Sequence, residues 1–122
     1  MLYGYFLERL QEIAQIGDGW HDGGGVAPCS KKLWHICHLL KDNYPTRLQL
    51  PAIFPTQDGN LLLEWDVQGN PSVDIDLQDM SVYFHVFGSE RDDVEMDFSL
   101  TCEAGIKSFM GFLQAHIPVM SS

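Results

Sequence analysis

The sequence predicts an α+β fold: two N-terminal helices, a four- to five-stranded antiparallel meander, and one C-terminal helix packed on one sheet face. Three observations carry this. Apolar residues recur at spacings of three and four near both ends of the chain, they alternate with a period of two between positions 60 and 98, and the links between the alternating runs are short. Links of that length suit hairpins and exclude crossover helices, so consecutive strands must run antiparallel. A sheet with one apolar face is buried by laying helices on it.

Taken in order, Leu2, Phe6, Leu10, Ile13 and Ile16 form one buried stripe of a helix, with Gly17 as its stop. The segment Gly17–Pro28 holds five glycines and two aspartates around Trp20, a composition for a loop. Ser30 is the expected N-cap of a second helix whose stripe is Leu33, Ile36, Cys37, Leu40 and Tyr44, ending before Pro45. Lys31, His35, His38 and Asp42 fall on its opposite face. Strands follow at Leu61, Leu63, Trp65 and Val67; at Val73, Ile75 and Leu77; at Met80, Val82, Phe84 and Val86; and at Val94, Met96 and Phe98. Asp58-Gly59 is a hairpin turn that joins a fifth strand through Ile53 and Phe54 to the first of these. Ile106, Phe109, Met110, Leu113 and Ile117 mark the last helix, which ends before Pro118.

A chain of 122 residues suits one hydrophobic core, and residues 1–122 are read as a single domain. The formal net charge is −10, from 7 basic and 17 acidic residues, which opposes direct binding of nucleic acid or an anionic membrane. Glu8 and Arg9 interrupt the early apolar stretch, no basic leader precedes it, and no apolar run approaches a membrane span. Three cysteines cannot all pair within one chain, so reduced thiols and a cytoplasmic location are expected.

If the apolar residues of the meander face the helices, the outward side carries Glu64, Asp66, Asp74, Asp76, Tyr83, His85, Phe87, Glu95 and Asp97. Acidic residues lined up across neighbouring strands repel mildly. Such a face keeps a protein in solution, and with aromatic anchors it also suits docking on a basic partner, where charge steers and rings anchor. The run Glu90, Asp92, Asp93, Glu95 and Asp97, offset only by Arg91, adds to it.

Metal and thiol chemistry compete with this reading. His21, Cys29, His35, Cys37 and His38 are ligand types that zinc prefers, but Cys-x5-His-x2-His matches no usual structural spacing, and Cys37 points away from His35 and His38. No metal and no cofactor is expected. Cys29 sits where a helix N-terminus would activate a thiol, so a small thiol- or metal-dependent enzyme using Cys29, His21, His35 and His38 is the alternative. The glycine loop lacks the Gly-Lys-Ser/Thr ending of a phosphate loop and the alternating oxygens of a calcium loop, and it reads as structural or as a lid. Trp20 packed against Trp65 is expected to anchor that loop. No specific enzyme motif is present, and no catalytic residue is nominated.

The loop Gly19-Trp20-His21-Asp22-Gly23-Gly24-Gly25 and the later Pro55-Thr56-Gln57-Asp58-Gly59-Asn60-Leu61-Leu62-Leu63-Glu64-Trp65 resemble a group of small uncharacterised bacterial and phage proteins. That group combines a Gly-Trp-Asp-Gly-like loop with a Glu-Trp strand and an acidic meander. The resemblance covers roughly residues 17–87 and implies an accessory protein of a mobile element. The expectation is a non-catalytic acidic interaction module, antitoxin-like or inhibitory, that docks on a basic protein surface, with self-pairing into a homodimer as a further expectation.

Overall fold

The computed structural model describes residues 2–17, 19, 25–45, 47–67, 69–86 and 94–119, with no side-chain description for Leu2 and Tyr3. Helices α1 (Leu2–Ala14) and α2 (Ser30–Asn43) precede β1 (Ala52–Pro55), β2 (Leu61–Glu64), β3 (Ser72–Asp76), β4 (Ser81–Val86) and β5 (Val94–Ser99), and α3 (Glu103–His116) follows. The five strands pair antiparallel in the order β1-β2-β3-β4-β5, the meander that the short links require.

Alternation decides which face is buried. Ile53, Leu61, Leu63, Val73, Ile75, Val82 and Phe84 are each at most 2% exposed and share the helix side of the sheet. They join Phe6, Leu10 and Ile13 of α1, Leu33, Ile36, Cys37, Leu39 and Leu40 of α2, and Phe109, Met110 and Leu113 of α3 in one core cluster. α3 seats on the β4 and β5 end through rings: Phe112 meets Phe84 edge-on at 4.8 Å, and Phe109 lies 5.8 Å from Phe98. Ring pairs at these separations add to area burial.

At the other end, α1 is pinned to β1. The Tyr5 hydroxyl donates to the Pro51 carbonyl, and Arg9 Nε donates to the Ile53 carbonyl at 2.7 Å. The tail after α3 returns beside the α2–β1 linker, with the Gln49 N–H donating to the Pro118 carbonyl at 3.0 Å and a Leu48–Val119 bridge beside it.

Several local expectations are corrected. Helix α1 ends at Ala14, short of Gly17, because the last turn tightens: Ile16 N–H donates to Ile13 O, three residues back. Ile16 still packs on the core. The N-cap of α2 is Cys29 in extended conformation, and Ser30 is its first helical residue. Between β3 and β4 the chain leaves the strand at Leu77, and Met80 takes φ +51° rather than continuing the alternation. Asp76 sets that turn, its carboxylate accepting the N–H groups of Gln78 and Asp79 at 2.9 and 3.1 Å. The Asp58-Gly59 hairpin is present, with Gly59 at φ +83° and Gly59 N–H donating to Thr56 O. Val94, Met96 and Phe98 do share the helix side, yet Met96 is 46% exposed because α3 covers only one end of β5.

Candidate functional site

The outer face of the sheet is built by register. One row runs Phe54, Leu62, Asp74, Tyr83, Asp97 across the five strands, and the next runs Ala52, Glu64, Ser72, His85, Glu95. A third short row sets Asp76 against Ser81 and Ser99. Glu64, Asp74, Glu95 and Asp97 are exposed, Asp76, Tyr83 and His85 are half-buried, and Asp66 is exposed just beyond the end of β2. Thus the eight residues expected on this side from β2 onward do lie there or at its margin. Phe87 and the run 90–93 lie outside the described residues.

The expected repulsion between facing acids is corrected by the same register. No carboxylate stands directly opposite another among the described strands: Asp74 faces Leu62 and Tyr83, Asp97 faces Tyr83, and Glu95 faces His85. Asp74 and Asp97 are two strand spacings apart, about 10 Å. At that distance in water their repulsion is about 0.4 kcal/mol before salt screens it. That pair therefore costs folding little.

No lysine or arginine occurs between Arg47 and Arg91, so β1 to β4 carry none, and β5 carries none either. The ion pairs among the described residues are on helices: Arg9 with Glu12, Lys41 with Asp42 and Lys107 with Glu103. Among the described residues, Arg9 and Lys32 reach the sheet through its backbone, at Ile53 O and Gln78 O, Arg9 while also paired with Glu12. Thr56, Asp58, Asn60, Asp74, Asp76, Tyr83 and Asp97 line an open depression of about 350 Å³ on this face.

Two groups there are electrostatically perturbed. The Tyr83 hydroxyl donates to Glu95 Oε1, and this bond, with partial desolvation and the charges of Glu95, Asp97 and Asp74, pushes its pKa up to about 12. Partial burial raises the Asp74 carboxyl above its usual value. Tyr83 also lies nearly parallel to His85, with ring centroids 6.4 Å apart.

Of the alternative centre, Cys29, His35 and His38 are among the described residues. Cys29 is exposed at the N-terminus of α2, where the backbone N–H groups of Lys32 and Lys31 lower its thiol pKa, as a helix start should. Cys37 is buried, and desolvation raises its thiol. His35 is exposed, while His38 packs edge-on against Trp34 at 4.9 Å. His21 lies outside the described residues. Among the described residues no three His, Cys, Asp or Glu side chains are placed to share a metal ion.

Trp20, the other half of the expected loop anchor, also lies outside the described residues. Trp65 is 2% exposed, so it offers no ledge to a ligand. Its indole N–H reaches the Gln49 carbonyl at 2.9 Å and the Tyr44 hydroxyl at 3.3 Å, and the Tyr44 hydroxyl in turn donates to Gln49 O. Burial, the largest influence, pushes the Tyr44 pKa up to about 12. This polar knot at the end of α2 was missed from sequence, although a buried indole always needs an acceptor. The described ends of the glycine loop are tied, with Gly19 N–H to Gly25 O at 2.9 Å and Val26 N–H to Gln57 O at 2.8 Å on the β1–β2 turn.

No helix among the described residues is long and apolar enough to cross a membrane. Compared with protein families, curated proteins and solved structures, the chain matches none.

Proposed function

We propose that this chain is a non-catalytic interaction module whose outer sheet face docks on a basic surface of another protein in the cytoplasm. The observation that supports this reading is the face itself: Glu64, Asp66, Asp74, Asp76, Glu95 and Asp97 around Tyr83 and His85, on strands that contain no lysine or arginine. Clustered charge of one sign steers a complementary partner, and half-buried rings supply contact area at its centre. A partner that handles nucleic acid offers such a basic surface, which makes an antitoxin-like or inhibitory role the specific form of the reading. The Gly-Trp loop and Glu-Trp strand support an accessory protein of a bacterial or phage element.

The test is spatial. In an NMR titration with a decalysine peptide, amide shifts should concentrate on β3 to β5, at Asp74, Tyr83, Glu95 and Asp97, and should collapse as salt shortens the Debye length to about 3 Å near 1 M. Shifts of equal size at Glu12, Asp42 and Glu103 on the helices would show a diffuse anionic surface and contradict a docking face.

A further inference from the structure

The two edges of the sheet differ in kind. Along β1, Tyr5 and Arg9 of α1 take up the carbonyls of Pro51 and Ile53, and the strand is bounded by Pro51 and Pro55. An edge so covered has little left to pair with. At the opposite end, β5 has β4 as its one strand neighbour among the described residues.

Its outward backbone follows from the ladder. Leu100 N–H donates to Met80 O at 2.7 Å. Antiparallel hydrogen-bonded pairs recur every second residue, so Phe98, Met96 and Val94 bond to β4, while the N–H and C=O groups of Glu95, Asp97 and Ser99 point away from it. Ser99 is already covered: an added Cβ on Gly105 of α3 would come 2.0 Å from its carbonyl oxygen. Among the described residues, Glu95 and Asp97 form the open part of the edge.

The side chains of β5 are equally divided. Glu95 and Asp97 stand on the acidic face, and Val94, Met96 and Phe98 stand on the helix side, where Met96 is 46% exposed. An added strand would set its alternate residues against carboxylates on one face and, on the other, against Met96, which α3 leaves exposed while it covers Phe98.

We propose that β5 accepts a strand from a partner protein, an extended segment in which basic and apolar residues alternate. This deepens the proposed function and rests on it. A second copy is the poorer occupant, since it would bring Glu95 and Asp97 against like charges from a chain of the same −10 net charge.

Three peptides of equal length test it: alternating Arg and Val, the same composition in two blocks, and the alternating peptide N-methylated along one edge. Binding is read by fluorescence anisotropy at low salt. The alternating peptide should bind at least about tenfold more tightly than either control, the factor expected from two or so backbone hydrogen bonds. In the chain itself, Asp97→Pro removes an outward N–H that β4 does not use. Asp97→Asn removes the same carboxylate and keeps the N–H, so Asp97→Pro should weaken the alternating peptide beyond Asp97→Asn while the two variants bind the block peptide equally, with circular dichroism confirming the fold.

Equal affinity for all three peptides would overturn strand addition while leaving charge-led docking in place. Salt-sensitive binding by none of them would overturn both. A dimer seen in sedimentation and abolished by Asp97→Pro would give the edge to a second copy and also overturn the proposal.

Discussion

The two faces of the sheet come from the same strands and meet opposite surroundings, the helices on one side and water on the other. In β3, Val73 and Ile75 are fully buried against the helices, while Asp74 between them faces water beside Tyr83. In β4, Val82 and Phe84 alternate in the same way with Tyr83 and His85. Residues that hold the fold and residues of the proposed docking face are therefore a single step apart along the chain. Substitutions on one face should cost stability, and substitutions on the other should change charge with little effect on folding. Because a strand has period two, no position need serve both.

The largest expected effect tests the buried face. Phe84 is fully buried and touches Phe112 and His116. Phe84→Ala should lower unfolding stability by about 3 to 5 kcal/mol in urea denaturation, since the cavity adds to the lost transfer energy. A loss below about 1 kcal/mol would show that the ring cluster does not hold α3 on the sheet.

Next comes a pair of glycines on one helix. Alanine normally favours a helix over glycine by about 1 kcal/mol. At Gly111 nothing lies within 4 Å of the added Cβ, so Gly111→Ala should stabilise by about that amount. At Gly105 the Cβ would strike the Ser99 carbonyl, and Gly105→Ala should destabilise by about 1 to 3 kcal/mol instead. Thermal melts giving both substitutions the same sign would disprove the close seating of α3 across the end of β5.

The smallest effect tests the acidic face. Because the Asp74 carboxyl is raised in the folded state, the native chain keeps that proton to higher pH than the unfolded chain. The contribution is full below the unfolded carboxylate pKa and is lost as pH rises through the raised folded value. Asp74→Asn does not ionise, so its stability should match or slightly exceed the parent at neutral pH, within about 0.5 kcal/mol. The difference should vanish in acid. A gain that grows on acidification would reverse the sign and refute the burial cause.

Much of this separation was legible in the sequence, because alternation is a local property: the rows Leu61, Leu63 and Val73, Ile75 announced their own burial. Less legible were features set by distant contacts or by strained backbone. Met80 at positive φ interrupts an apolar run that reads as continuous strand, and only the Asp76 cap on Gln78 and Asp79 explains it. The knot ties Trp65 to Tyr44 and Gln49, 21 and 16 positions away, so no local pattern displays it. The acidic residues of the face were readable one by one. Their interleaving with Leu62, Ser72 and Tyr83 was not, since register fixes which residues stand opposite.

The claim that one face folds and the other docks is tested most directly in the triple variant Glu64→Gln, Asp74→Asn, Asp97→Asn. Its unfolding midpoint would be measured beside its affinity for the partner isolated with the parent chain. The midpoint should equal or exceed that of the parent, the affinity should be at least about tenfold weaker, and the dependence on salt should be flatter. Unchanged affinity with unchanged salt dependence would contradict it.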